Sequence, residues 1–362
     1  MKKLLSRRAK DFIKLTGKPL RIACVSYYLP PHDRIGAGYQ MHYMANAYVR
    51  AGHQVTMFSP YDVPAEDTLY DMVKVPIGKH NRTFRFAWNL RHQDFSAFDM
   101  IHAAGDDYCL LGKKRPYHVR SMHGSCLKEM LNTKRWKQKI RMGILGLSEF
   151  AVCFVADQVV CVSHNALRDV PLADTVIWNG VDLDKFTPAD TKSPNPSILF
   201  VGVLDSRKRG RELLEIFQKQ IRPAIPNAEL WIVREDQVID SPGVHSLGGV
   251  SLEKLVELYQ SAWVFCLPSS YEGFGVPYIE AMASGTAVVA APNVGALEVL
   301  EKGRYGVVAD LPELGDALIK LLQNPAEREK WVQLGLERAE TFSWKKVVAA
   351  YLDLANAQAR RK

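Results

Sequence analysis

Two glutamates, Glu272 and Glu280, bracket a Gly-Phe-Gly and a proline in SSYEGFGVPYIEAMASGTAVVA, residues 269–290. The run WVFCLPS before it reads as a buried strand, Pro277 is placed to open a helix, and Gly285 to stop it. Glu272 and Gly273-Phe274-Gly275 then lie in a loop beyond the strand's carboxyl end. Glycines there let backbone N–H groups approach a ligand, and the helix N-terminus behind them favours an anion or sugar oxygens. Glu280, about one turn into the helix, can accept two hydrogen bonds from a vicinal diol, as an acidic residue does for ribose in dinucleotide sites. A plain strand-to-helix loop with a surface glutamate has the same pattern, and spacing alone leaves both readings open.

Other residues carry weaker chemistry. VGVLDSRKRGRELL places Arg207, Lys208 and Arg209 at the mouth of a strand. Clustered cations there suit a diphosphate whose charge grows as a bond to it breaks, and a solvated basic turn is the alternative. PPHDRIGAGYQ puts Gly36 and Gly38 in a loop after the first strand, a Gly-x-Gly that a tight turn explains equally well. VRSMHGS ends a strand at His123, a position that serves either a site or the core. Asp106 and Asp107 in AGDDYC read as a turn, and no His or carboxylate pair has strong metal-ligand spacing. The expected site uses no metal and no cofactor, with helix N-termini and Arg/Lys neutralising its anion.

The elements that must position these residues alternate. LRIACVSYYLP, a Pro/Gly loop, the helical YQMHYMANAYVRAG and the strand HQVTMFSP open a Rossmann-like sheet. DMIHAAG, YHVRSMH and QVVCVS supply further strands, and NALRDV starts a helix. FTPADTKSPNPS, residues 186–197, lacks apolar periodicity and reads as a linker. The pattern restarts with SILFVGVL, GRELLEIFQKQI, AELWIVRE, SLEKLVELYQSA, WVFCLPS, VPYIEAMASG and TAVVAA. The expected class is α/β: two Rossmann-like doubly wound domains, residues 1–185 and 186–343, facing a central cleft.

Bulk properties narrow the function. The 362 residues are 47% hydrophobic and 24% charged, as in a packed globular protein. No run is long and apolar enough for a spanning helix, and the basic start MKKLLSRRAK lacks a signal-peptide core. Six scattered cysteines without a Cys-x-x-Cys fit buried thiols in the cytoplasm. Residues 1–190 hold 27 Lys+Arg against 18 Asp+Glu, while the remainder holds 20 against 21. Excess positive charge in the first half points to a polyanion or an anionic membrane surface. The stretch KEMLNTKRWKQKIRMGILGLSEF sets Lys128, Lys134, Arg135, Lys137, Lys139 and Arg141 among Met130, Leu131, Trp136, Ile140 and Met142. That mixture suits either a lipid surface or a solvated helix face.

The segment EGFGVPYIE, together with WNGVDLDKFTP, AYVRAGHQVTMF, GRYGVVAD and AETFSWKKVVAAYLDL, resembles the family 4 retaining glycosyltransferases of the GT-B fold along nearly the whole chain. The resemblance implies a metal-independent transfer of a sugar from a nucleotide-diphosphate sugar to an acceptor. It assigns Glu280 to the ribose, Glu272 with Gly273, Phe274 and Gly275 to the donor sugar, and Arg207 and Lys208 to the diphosphate. Gly36 and Gly38 would face the diphosphate, His123 would lie by the donor sugar and acceptor, and Glu298 would complete the donor site. Val203 stands where many relatives carry an arginine, and Val294-Gly295 replaces their Gly-Gly. A final helix from about 344 to 362 is expected to return to the first domain. The expected setting is cytoplasmic, with a saccharide or lipid-linked acceptor of cell-envelope polysaccharide or glycolipid synthesis, peripheral at a membrane. The rivals are a GT-B nucleotide-sugar epimerase and a basic nucleic-acid-binding protein; no nucleic-acid motif supports the second, and no nucleic-acid partner is expected.

Overall fold

The structure, a computed structural model, describes residues 19–33, 35–124, 130, 136–170, 172–173, 175–233 and 238–359. The chain divides into two compact units, one running to Gly180 and resuming at Trp344, the other Val181–Ser343. The linker composition expected a division near residue 186. It falls earlier because Gly180 accepts a hydrogen bond from Gln40 in the first unit, whereas Val181 bridges Ser343 and Phe186 packs on Tyr259 in the second.

In the first unit the chain runs β1 (Arg21–Val25), α1 (Gly36–Arg50), β2 (Gln54–Ser59), β3 (Asp71–Lys74), α2 (Arg82–Leu90) and β4 (Met100–Ala103). A short 3-10 turn (Tyr108–Leu110) follows, then β5 (Tyr117–Met122), α3 (Trp136–Val152), β6 (Gln158–Cys161), α4 (His164–Asp169) and β7 (Thr175–Val176). The seven strands are all parallel in the order β3-β2-β1-β4-β5-β6-β7. Both faces are therefore covered, and β1 shows how. Ile22 and Cys24 join one apolar cluster with Met41, Ala45 and Tyr48 of α1. Ala23 and Val25, pointing the other way by the two-residue period, join Phe58, Phe86 and Ile101. Gly36 and Gly38 lie in the first turn of α1 rather than in the expected loop. A β-carbon at Gly38 would fall 2.7 Å from the Tyr28 carbonyl oxygen, so glycine lets the helix start this close to the strand.

The second unit runs β8 (Ser197–Val201), α5 (Gly210–Ile216, continued by a π turn over Phe217–Ile221), β9 (Glu229–Val233), β10 (Val244–Gly248), α6 (Leu252–Ser261) and β11 (Val264–Leu267). It goes on through α7 (Val276–Ala283), β12 (Ala287–Ala290), α8 (Val294–Val299), β13 (Val307–Val308), α9 (Leu311–Gln323) and α10 (Pro325–Ala339). Its six parallel strands are ordered β10-β9-β8-β11-β12-β13. Both units are thus Rossmann-like, doubly wound sheets.

The last helix, α11 (Trp344–Ala359), belongs to the first unit and inserts Trp344, Val347, Val348, Tyr351 and Leu352 into its cluster. Its polar anchor is a buried relay. The Tyr351 and Ser121 hydroxyls lie 2.7 Å apart, Ser121 Oγ sits 2.6 Å from His102 Nε2, and His102 Nδ1 sits 2.9 Å from the Tyr48 hydroxyl. Four elements meet in this chain. Tyr351→Phe leaves Ser121 short of a partner and should lower unfolding free energy by about 1–3 kcal/mol, read from urea denaturation.

Burial also sets a pH dependence. His102 is pushed down to about 3 by burial, His123 to about 4 by burial and the Arg120 guanidinium, and His53 is lowered by burial. Below the ordinary histidine value of about 6.5, the unfolded chain takes up protons that these folded histidines refuse, so each subtracts stability as pH falls. Asp106 acts oppositely. Burial raises it to about 7, so the folded state holds a proton there that the unfolded chain releases. With three groups against one, the urea midpoint should fall between pH 7 and pH 5; a midpoint unchanged or higher at pH 5 would contradict this account.

Candidate active site

At the carboxyl end of β11 the chain turns through Ser269, Ser270 and Tyr271 into Glu272 and the Gly-Phe-Gly, and α7 begins at Val276 with Pro277 second in the helix. Gly275 holds φ +104, a backbone region costly for any other residue. The ring of Phe274 is buried 5.7 Å from that of Phe342, so this residue anchors the loop by its side chain and offers only its backbone outward. Gly285 closes the helix with φ +67.

Glu272 is only 7% exposed, and a carboxylate so placed must be paired. Its Oε1 accepts from Ser269 Oγ at 2.8 Å and meets Arg207 Nη1 at 2.8 Å. The half-exposed Arg207 guanidinium also donates to the Tyr271 carbonyl, and the Ser270 amide donates to the Arg207 carbonyl at 2.8 Å. The loops after β8 and β11 are thereby stitched together. Lys208 extends Nζ back to the Val201 carbonyl at the end of β8, 2.8 Å away. Glu280, half-buried in α7, accepts from the Tyr259 hydroxyl at 3.1 Å through Oε2.

A third loop completes the site. Asn293 caps α8 by accepting from the Ala296 amide at 3.0 Å, while its Nδ2 donates to the Ser269 carbonyl at 3.0 Å. A β-carbon at Gly295 would sit 2.6 Å from the Phe274 carbonyl oxygen and 2.7 Å from that of Glu272, so α8 can pack this tightly only through glycine. Glu298 lies one turn into α8, its main-chain carbonyl accepting from Arg338 at 3.2 Å. Arg207, Lys208, Glu272, Gly273, Phe274, Gly275, Glu280 and Glu298 all belong to this set of loops and helix starts at the carboxyl ends of β8, β11 and β12. A groove of about 530 Å³ elsewhere in the unit, between Phe186–Pro188 and Glu340, holds none of them. The carboxyl-end site is the stronger candidate because it gathers the paired charges.

Gly36, Gly38 and His123 belong to the first unit, at the carboxyl ends of β1 and β5. His123 lines a small cavity with Gln40, His102, Ser121, Asn179 and Trp344. Among the described residues, the Gln40 carboxamide oxygen and the Trp344 indole N–H are buried there without hydrogen-bond partners. Behind His123, Arg120 pairs with buried Asp107, and His118 Nε2 lies 2.9 Å from Asp107 Oδ2. Burial raises the Asp107 carboxyl, but Arg120 and His118 outweigh it and hold the group at about 2. The sequence reading missed Ser269, Asn293 and Gln40. Only Asn293, a capping residue type before an apolar turn, carried a local signal.

Two neighbouring cations, a carboxylate held for hydrogen bonding and glycine-backed amides at a sheet's carboxyl edge are groups that can bind a phosphorylated, hydroxyl-rich ligand. Comparison with known proteins agrees. A model described as Glycosyltransferase Family 4 matches residues 35–185, and one described as Glycosyl transferases group 1 matches residues 195–324. The MMP alpha-(1->4)-mannosyltransferase of Mycolicibacterium hassiacum is 46% identical over 112 residues, 29% of this chain and 27% of the relative. The phosphatidyl-myo-inositol mannosyltransferase of Mycobacterium tuberculosis is 32% identical over 193 residues, 48% of this chain and 51% of the relative. The matches thus span about half or less of these curated relatives. Among solved structures, the sucrose-phosphate synthase of Thermosynechococcus elongatus superposes with a TM-score of 0.77 at 22% identity, covering 95% of this chain and 100% of that one, which establishes the fold. With one family model on each unit and this shared architecture, the chain belongs to the family 4 glycosyltransferases of the GT-B fold, the glycosyl transferases group 1.

Proposed function

We propose that the chain is a retaining, metal-independent glycosyltransferase that moves a hexosyl group from a nucleotide-diphosphate sugar to a saccharide or lipid-linked acceptor. The observation that carries this reading is the Arg207–Glu272 pair at the mouth of the second sheet, with Glu280 in the helix opened by the same loop. Arg207 and Lys208 meet the diphosphate, whose charge grows as the glycosidic bond breaks. When donor enters, the half-exposed Arg207 guanidinium trades its carboxylate partner for phosphate oxygens, and Glu272 turns to sugar hydroxyls. Glu280 accepts from the ribose hydroxyls. The amides of Gly273 to Gly275 and the positive end of α7 hold sugar oxygens, and Glu298 flanks the donor from α8.

Glu272 is engaged by Ser269 and Arg207 as a hydrogen-bond acceptor, which supports a same-face displacement rather than a covalent glycosyl-enzyme. In that displacement the departing phosphate oxygen takes the acceptor's proton as the new glycosidic bond forms on the face it leaves. The family resemblance assigns Gly36 and Gly38, at the start of α1, to the diphosphate and His123, held neutral, to a hydroxyl of donor or acceptor. Relatives named as mannosyltransferases, one of them acting on phosphatidyl-myo-inositol, support a hexosyl donor and a lipid-borne acceptor in glycolipid or cell-envelope polysaccharide synthesis. A cytoplasmic location on the inner face of a membrane fits such an acceptor.

A thermal-shift screen against UDP-, GDP- and ADP-sugars tests the core of this reading, since a bound donor raises the melting temperature by mass action. One nucleotide sugar should shift the wild type. Glu280→Ala should weaken that donor at least about tenfold, because hydrogen bonds to a charged group contribute about 1.5–3 kcal/mol each. No shift with any nucleotide sugar, or equal affinity in a folded Glu280→Ala protein, would remove the donor assignment. Transfer should also persist in excess EDTA. Loss of turnover that added Mg²⁺ or Mn²⁺ restores would replace the Arg/Lys mechanism with a metal-assisted one.

A further inference from the structure

Among the described residues, helix α3 carries an exposed apolar stripe. Trp136, Ile140, Ile144, Leu147, Phe150 and, just past the helix, Phe154 are 45–69% exposed. At 3.6 residues per turn they fall within an arc of about 120°. Met142, Gly146 and Val152 are buried on the opposite side, so the helix is buried along one face and presents a second apolar face outward. Soluble monomers rarely expose a contiguous apolar patch beyond a few hundred Å² without using it. Exposed Lys139 and Arg141 flank the stripe.

The neighbouring surface has the same character. Both α2 and α3 pack on the Tyr108–Leu110 turn. From α2 the exposed Arg82, Arg85 and Trp88 project, Trp88 being 59% exposed, and Leu111 after the turn is 56% exposed. Between Lys113 and Arg141 the sequence holds ten Lys or Arg, of which Arg120 is buried against Asp107, and a single acid, Glu129. Of the basic stretch, Lys128, Lys134, Arg135 and Leu131, and the N-terminal residues before Pro19, lie outside the described residues. No described helix is long and apolar enough to cross a membrane.

We infer that the α2 and α3 surface is a membrane-docking face, with the α3 stripe entering the headgroup and acyl boundary of an anionic leaflet while the flanking cations meet lipid phosphates. Charge selects this occupant. A second copy docked on the same face would bring two strongly basic surfaces together, a like-charge contact that opposes dimerisation, whereas an anionic bilayer satisfies both the apolar stripe and the cations. The consequence for catalysis is positional: α3 follows the His123 loop in sequence, so docking brings the first unit's strand ends to a lipid-borne acceptor. That consequence rests on the glycosyltransferase reading, but vesicle binding and donor binding are measured separately, so either can fail without the other.

The test is co-sedimentation of the full chain with vesicles of phosphatidylglycerol and phosphatidylcholine, against pure phosphatidylcholine. Binding should require the anionic lipid, blue-shift tryptophan emission and weaken without vanishing as salt rises, because the apolar stripe is not screened. Ile140→Glu with Leu147→Glu should cut the partition coefficient at least tenfold, and Arg82→Glu with Arg85→Glu should flatten its salt dependence. All four side chains are exposed, so unchanged circular dichroism and donor-induced thermal shift confirm that the variants are folded. Wild-type-like binding by the Ile140/Leu147 variant, no pelleting with anionic vesicles at low salt, or a dimer that this variant splits would each overturn the proposal, the last by making a second copy the occupant.

Discussion

Parallel strands cannot be joined by a tight turn, so each must be followed by a crossover that carries the chain back along one face of the sheet. Both units obey this constraint without exception among their paired strands. Two consequences follow. Every strand in the middle of the sheet is buried on both sides and reads as an apolar run, and every strand's carboxyl end points to the same edge. The loops at that edge have no ladder to complete, so they can hold glycines, charges and helix starts. Arg207, Glu272 and Asn293 come from three different loops and meet because the sheet orders β8, β11 and β12 side by side.

Within that edge the buried Glu272 carboxylate decides the local geometry. A charge removed from water needs partners, and the available ones are Ser269 three residues earlier and Arg207 from another loop. The same pairing draws the Ser270 amide onto the Arg207 carbonyl, so that two separate connections become one surface. Asn293 adds the third connection through the Ser269 carbonyl, and Gly295 allows the helix it caps to lie against the loop backbone. Removing the charge of Glu272 would loosen all three loops at once.

The long apolar runs made β1, β2, β8, β9, β11 and β12 legible in the sequence, and Pro277 with Gly285 marked the helix that carries Glu280. What escaped reading was short or half-exposed. β3, β7, β10 and β13 have two to five residues with mostly half-buried or exposed side chains, so they lack the apolar signature that burial on two faces imposes. Gly36 and Gly38 read as part of the Pro/Gly loop after the first strand, because Gly-x-Gly is also the pattern of a tight turn. A close approach to Tyr28, which depends on packing rather than local preference, puts them in α1 instead. The site's individual residues were visible, but the contacts joining Arg207 to Glu272 and Asn293 to Ser269 span 65 and 24 positions of sequence, and no local pattern encodes such a meeting.

The return of α11 to the first unit has a consequence for synthesis. Trp344, Val347, Val348 and Tyr351 occupy the cluster that also holds Ile22, Met41 and Tyr48, yet the whole of Val181–Ser343 is made in between. As the chain leaves the ribosome the first unit must wait, with one face of its sheet lacking one of its covering helices, until the second has been translated. The second unit is continuous and can close on its own during that interval. A chain truncated after Ser343 would keep the later-made unit whole and leave the earlier-made one with an apolar face open to aggregation.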